Sequence, residues 1–128
     1  MSGYGSSYFR HDCTERGCFL AGQTSWDDLI ACFPRGIRPT DVDGMVEING
    51  HHLFLEEKRA GQTLENGQRH ALAALARKPR TIVVVFRPGI TSELEVLTMP
   101  NPKGYQPTSR AGLQHLLRSW AAYADSQP

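Results

Sequence analysis

Asp41-Val42-Asp43-Gly44-Met45-Val46-Glu47-Ile48-Asn49-Gly50-His51-His52-Leu53-Phe54-Leu55-Glu56-Glu57-Lys58 is the stretch that decides the fold. Two alternating runs flank Asn49-Gly50, the residue pair best suited to the two positive-φ positions of a type I′ hairpin turn. Strands are predicted over 41–48 and 51–58. A two-residue turn also fixes the register. Ile48 pairs with His51, and stepping back along both strands sets Asp43 opposite Glu56 and Asp41 opposite Lys58. Side chains alternate between faces along a strand, so these four charged residues share one face. The other face carries Val42, Val46, Ile48, Leu53 and Leu55, the expected core. His51 and His52 flank the turn tip and read as exposed turn residues.

Two carboxylates facing each other across a ladder have Cβ atoms about 4.5–5.5 Å apart, and such like-charge pairs weaken a sheet. A divalent cation between Asp43 and Glu56 would relieve the repulsion. Mg²⁺ suits the site because it takes oxygen ligands, needs only one or two carboxylates, and keeps its remaining positions for water and substrate phosphate. The main chain of Glu57 offers a further oxygen. Such an ion activates an attacking water and polarises a phosphoryl group. Lys58, one strand period beyond Glu56, then orients or deprotonates the water, or offsets charge building on the phosphate. The alternative is a solvated strand face, but that would set Lys opposite Glu rather than Asp opposite Glu.

Outward from the hairpin, Gly61-Gln62-Thr63 breaks the pattern and a helix is expected over 64–77. Gln68 falls at the helical step between Leu64 and Leu72 and so faces the sheet with them. A buried amide needs partners; the catalytic face is one place to find them, a backbone carbonyl another. Thr81 to Phe86 is a continuous apolar run, read as a strand buried on both sides and ended by Arg87-Pro88-Gly89. Glu93 to Thr98 reads as another strand, 99–107 as a loop, and 109–124 as a helix with Leu113, Leu116, Leu117, Trp120 and Ala124 on its apolar stripe. Upstream, Ser25 is a good cap for a short helix that Pro34 ends. The order predicts an α/β fold, a single domain over 25–128 with a mixed central sheet flanked by helices, after a loose segment over 1–24.

The length of 128 residues suits one such domain. No apolar run is long enough to cross a bilayer, and the first ten residues lack the basic start and apolar stretch of a secretion signal, so a cytoplasmic setting is expected. The net charge of +1 is nearly neutral, yet Arg and Lys cluster locally, as phosphate binding requires. Cys13, Cys18 and Cys32 make an odd count; with His11 they match no compact zinc spacing.

Pro39-Thr40-Asp41-Val42-Asp43-Gly44 followed by Leu55-Glu56-Glu57-Lys58 resembles the PD-(D/E)xK nuclease superfamily. The continuation through Arg59-Ala60-Gly61, Leu64 and Gln68 resembles its VRR-Nuc branch, which includes Holliday-junction-resolvase-like enzymes. The likeness spans roughly residues 35–88. It implies a restriction-endonuclease-like core and Mg²⁺- or Mn²⁺-dependent hydrolysis of DNA, in some members at branched structures and often by a homodimer. It also implies Asp43, Glu56, Lys58 and Gln68 as catalytic, and Asp43 and Glu56 as metal ligands with Glu57 and Asp41 in support. Asp41 and Asp43 compete for the motif aspartate, and the register favours Asp43. Arg35, Arg38, Arg59 and Arg69 are the expected DNA contacts. The compact setting suggests a phage protein acting in a host cytoplasm. The alternative is a nucleic-acid-binding protein that keeps the fold without cutting.

Overall fold

Asn49 and Gly50 take φ values of 50° and 79°, the two positive values a type I′ turn demands. The turn sets the register read from the sequence: β1 (Gly44–Ile48) runs antiparallel to β2 (His51–Glu57), with Ile48 opposite His51 and Gly44 opposite Leu55. β1 starts at Gly44 rather than at residue 41, so Asp41 lies beyond the paired strand and is not held opposite Lys58. Asp43 stands one step past the last pair, still opposite Glu56.

The computed structural model describes residues 27–100 and 103–127, and the chain divides into two units, Met1–Pro39 and Thr40–Pro128. In the first unit, α1 is confined to Asp27–Ile30. The helix expected to reach Phe33 tightens instead into three-residue turns, with Cys32 N donating to Leu29 O and Phe33 N to Ile30 O. A 3₁₀ turn follows at Pro34–Gly36. His11, Cys13 and Cys18 lie outside the described residues; Cys32 is an exposed free thiol.

In the second unit, α2 (Asn66–Ala76) carries the chain from β2 to β3 (Thr81–Pro88), which pairs parallel to β2. β4 (Leu94–Met99) and the short β5 (Gln106–Thr108) add antiparallel neighbours, giving a five-stranded mixed sheet in the order β1-β2-β3-β4-β5. β5 replaces the end of the loop expected over 99–107; Pro107 cannot donate to a ladder, a restriction that an edge strand tolerates. α3 (Arg110–Ser126) begins with Ser109 accepting a hydrogen bond from Gly112 N at 3.0 Å.

Both faces of the sheet are covered. On one, Leu64 and Leu72 pack on Val83, Val85, Leu97 and Met99. On the other, Leu113 of α3 packs with Leu53, Val84 and Leu94. The expected division into a single apolar face and a polar one is therefore corrected: Val42 and Val46 are exposed, and the face bearing Glu56 is itself core through Phe54. The two histidines are corrected as well. His51 is buried, edge-on to the Tyr123 ring at 5.6 Å, and His52 is half-buried and stacked on Phe54. α3 lays Leu113, Leu116, Leu117 and Trp120 on the sheet, so its apolar stripe contributes to the core. No helix among the described residues is long and apolar enough to cross a membrane.

Candidate active site

Glu56 is only 5% exposed, an unusual position for a carboxylate. It sits near the end of β2, on the face covered by α2, where the core passes into polar residues. Its surroundings explain how it is tolerated. Oε2 accepts a hydrogen bond from Gln68 Nε2 at 2.6 Å and pairs with Lys58 Nζ at 3.2 Å. Oε1 accepts from the Asp43 main-chain N–H at 3.3 Å. One buried charge is thus met by one cation and two neutral donors, the condition under which burial becomes affordable.

Each donor arrives by a separate piece of local structure. Lys58 extends β2 by one residue, its N–H donating to Phe86 O at 2.8 Å, and strand alternation returns its side chain to the face of Glu56. Gln68 arrives by helical periodicity, one turn before the buried Leu72; the helix starts at Asn66 rather than at 64, so the buried Leu64 precedes it. Asp43 arrives by the hairpin register. Because β1 has ended, the N–H of Glu57 has no ladder partner on that side, and Asp43 Oδ2 accepts it at 2.7 Å. Asp43 and the Glu56-Glu57 segment therefore clasp each other through two side-chain-to-main-chain bonds.

The structure brings together Asp43, Glu56, Lys58 and Gln68. Glu57 joins through its main chain, while its side chain is exposed. Asp41 is exposed and makes none of the hydrogen bonds of this cluster. Arg59 lines an open depression beside the cluster with Glu57, Lys58, Ala60, Gln62 and Pro88, and Arg69 is exposed on α2. Arg35 and Arg38 are exposed residues of the first unit. The expectation that a divalent cation relieves the facing carboxylates gains a second contributor. Lys58, assigned to the water, itself neutralises Glu56, and Asp43 turns its carboxylate to an amide rather than toward Glu56.

The turn between β2 and α2 is closed by Arg59 N donating to Gln62 Oε1 and Gln62 N to Arg59 O, each at 3.0 Å. Gly61 has φ 72°, as the third position of a type II turn requires. Arg87, expected only to end a strand, reaches this turn from β3, its Nη1 donating to Gln62 O at 2.7 Å. Nothing in the sequence links residue 87 to residue 62 until β2 and β3 are known to be parallel neighbours.

Among the described residues no group of three or more His, Cys, Asp or Glu gathers for a metal ion. Asp43 and Glu56 offer carboxylate oxygens, the ligand type Mg²⁺ takes, although Asp43 Oδ2 accepts from Glu57 N–H and both oxygens of Glu56 meet internal donors. No family model matches the chain, and neither the curated proteins nor the solved structures compared with it give a match.

Proposed function

We propose that the chain is a Mg²⁺- or Mn²⁺-dependent deoxyribonuclease of the PD-(D/E)xK kind, near the VRR-Nuc branch, acting as a structure-selective endonuclease. The observation that carries this reading is the convergence of Asp43, Lys58 and Gln68 on a buried Glu56. A solvated strand face has no reason to bury a glutamate or to recruit an amide to it from a helix 12 residues away.

Asp43 and Glu56 would hold the cation, with the Glu57 carbonyl beside them. When bound, it supplies Lewis acidity toward a phosphoryl oxygen and an attacking water. The rest falls to the chain's own side chains. Gln68 fixes the rotamer of Glu56, leaving its carboxylate oriented before substrate arrives. Lys58 places a positive charge at the edge of the site, where it orients the water and offsets charge gathering on the phosphate. The exposed Arg59 and Arg69 meet phosphates on either side, a sequence-independent attraction suited to reading DNA shape. Two cuts in a duplex need two such sites, so the reading includes a homodimer, which light scattering checks. A cytoplasmic setting, in a host cell if the chain is phage-encoded, goes with it.

Plasmid, linear and branched DNA incubated with the protein in Mg²⁺, Mn²⁺ or EDTA tests the reading. Cleavage is expected with either ion, strongest on branched DNA, and lost in Asp43→Asn, Glu56→Gln and Lys58→Met. Mn²⁺ at a hundredfold excess over Kd should also stabilise the wild type by about 2.7 kcal/mol, and Asp43→Asn hardly at all. No cleavage together with no Mn²⁺-dependent shift overturns it. One observation favours a second reading, a DNA-binding protein that does not cut: both oxygens of Glu56 are already engaged by internal donors. DNA binding without cleavage in Mn²⁺ would select it.

A further inference from the structure

Arg87 occupies a junction. Its Nε pairs with Glu95 Oε1 at 2.8 Å, its Nη1 donates to the Gln62 carbonyl at 2.7 Å, and its guanidinium carbon lies 3.6 Å from the centroid of the Tyr105 ring. Glu95 is its cross-strand partner on β4, Tyr105 precedes β5, and Gln62 closes the turn between β2 and α2. One side chain thus joins β3 to three other parts of the fold. It also lies one step past the Glu57–Phe86 pair of the parallel ladder, beside Lys58 and on the same face as Glu56.

We propose that Arg87 is a positioning residue for the Glu56 site, acting through the Arg59–Gln62 turn. The proposal rests on the cleavage reading above. Lys58 enters this turn and Gln68 follows from it, and the two side chains must meet on one oxygen of Glu56. The turn's own hydrogen bonds are internal to it. Arg87 ties it to the sheet and so sets where α2 starts relative to the end of β2. Its charge is answered by Glu95 and its side chain is only 14% exposed, which fits a clamp better than a phosphate contact. The exposed Arg59 and Arg69 fit that second role. Lysine cannot substitute. An ammonium has no planar fork to hold a carboxylate, a carbonyl and a ring face together.

A misplacement of about 1 Å at a catalytic group can lower a rate by roughly a hundredfold. Arg87→Lys should therefore lower kcat by about 10- to 100-fold with little change in KM, measured well below its melting temperature. Arg87→Ala should behave alike, and millimolar guanidinium should restore part of its activity. Hydrogen exchange at the amides of residues 59–62 should quicken in both variants, independently of any DNA. Wild-type kcat in Arg87→Lys overturns the proposal, as does a raised KM at unchanged kcat, which would make Arg87 a phosphate contact. A wild type that cuts nothing overturns the cleavage reading and this role with it. In that case the exchange rates still report whether the clamp exists, and unchanged protection in Arg87→Ala removes it too.

Discussion

Lys58→Met keeps the aliphatic stem of the side chain and removes the ammonium 3.2 Å from Glu56 Oε2. The carboxylate stays where it is, 5% exposed, because its strand is fixed on both sides. Breaking one partner out of a buried ion pair costs roughly 3–5 kcal/mol, since the remaining charge is stranded. Gln68 Nε2 at 2.6 Å and the Asp43 N–H at 3.3 Å remain, which puts the expected loss near the low end, about 3 kcal/mol. At roughly 3–5 °C per kcal/mol for a chain of this length, that is a fall in melting temperature of about 9–15 °C. Glu56→Gln with Lys58→Met removes both charges and should return to within about 1 kcal/mol of wild type, a recovery of about 2 kcal/mol over Lys58→Met alone. Urea unfolding followed by circular dichroism, with midpoints compared at constant slope, measures all three proteins. Stability recovers in the double variant and cleavage does not, which separates the fold's need for the pair from the reaction's. Lys58→Met within about 0.5 kcal/mol of wild type, or a double variant as unstable as the single one, refutes the claim that Lys58 neutralises a buried Glu56.

Other outcomes follow from single contacts. Asp41→Asn should reduce cleavage less than about tenfold and Asp43→Asn more than about a hundredfold, read in the plasmid assay; the reverse order makes Asp41 the motif aspartate. Tyr105→Phe removes a buried hydroxyl that has no hydrogen-bond partner among the described residues and should stabilise the protein by about 1 kcal/mol, so a lowered midpoint would show the hydroxyl bonded. Asn49→Gly keeps the positive φ but loses the bonds from Nδ2 to the Ala124 and Asp125 carbonyls. It should cost about 1 kcal/mol by thermal melting, and an unchanged midpoint removes the cap.

What was legible in the sequence had a short-range cause. Asn49-Gly50 admits one favoured turn, the turn admits one register, and the register sets Asp43 opposite Glu56 before any tertiary contact is known. Gln68 was legible because a helix repeats every 3.6 residues and the buried Leu72 stands one turn further on. What depended on how distant strands meet was hidden. The parallel pairing of β2 with β3 places Arg87 beside Lys58, and α3 on the second face turns His51 from a turn residue into a buried one. The ion pair of Lys58 with Glu56 was missed for a different reason: register places side chains on a face but does not say which of several neighbours each will choose.

The bonds from Asn49 to the carbonyls of Ala124 and Asp125 span 75 and 76 residues. At a synthesis rate of roughly 5–20 residues per second, the hairpin tip leaves the ribosome about 4–15 s before the helix end that pins it. During that interval β1 is the outermost strand of the nascent sheet, with Met45 and Val46 on an unguarded rim. The last turn of α3 is thus a late fastener on the first hairpin. β1 keeps its place at the edge of the finished sheet, so what the end of α3 brings is the pinning of the hairpin tip, after every residue of the Glu56 cluster has already been made.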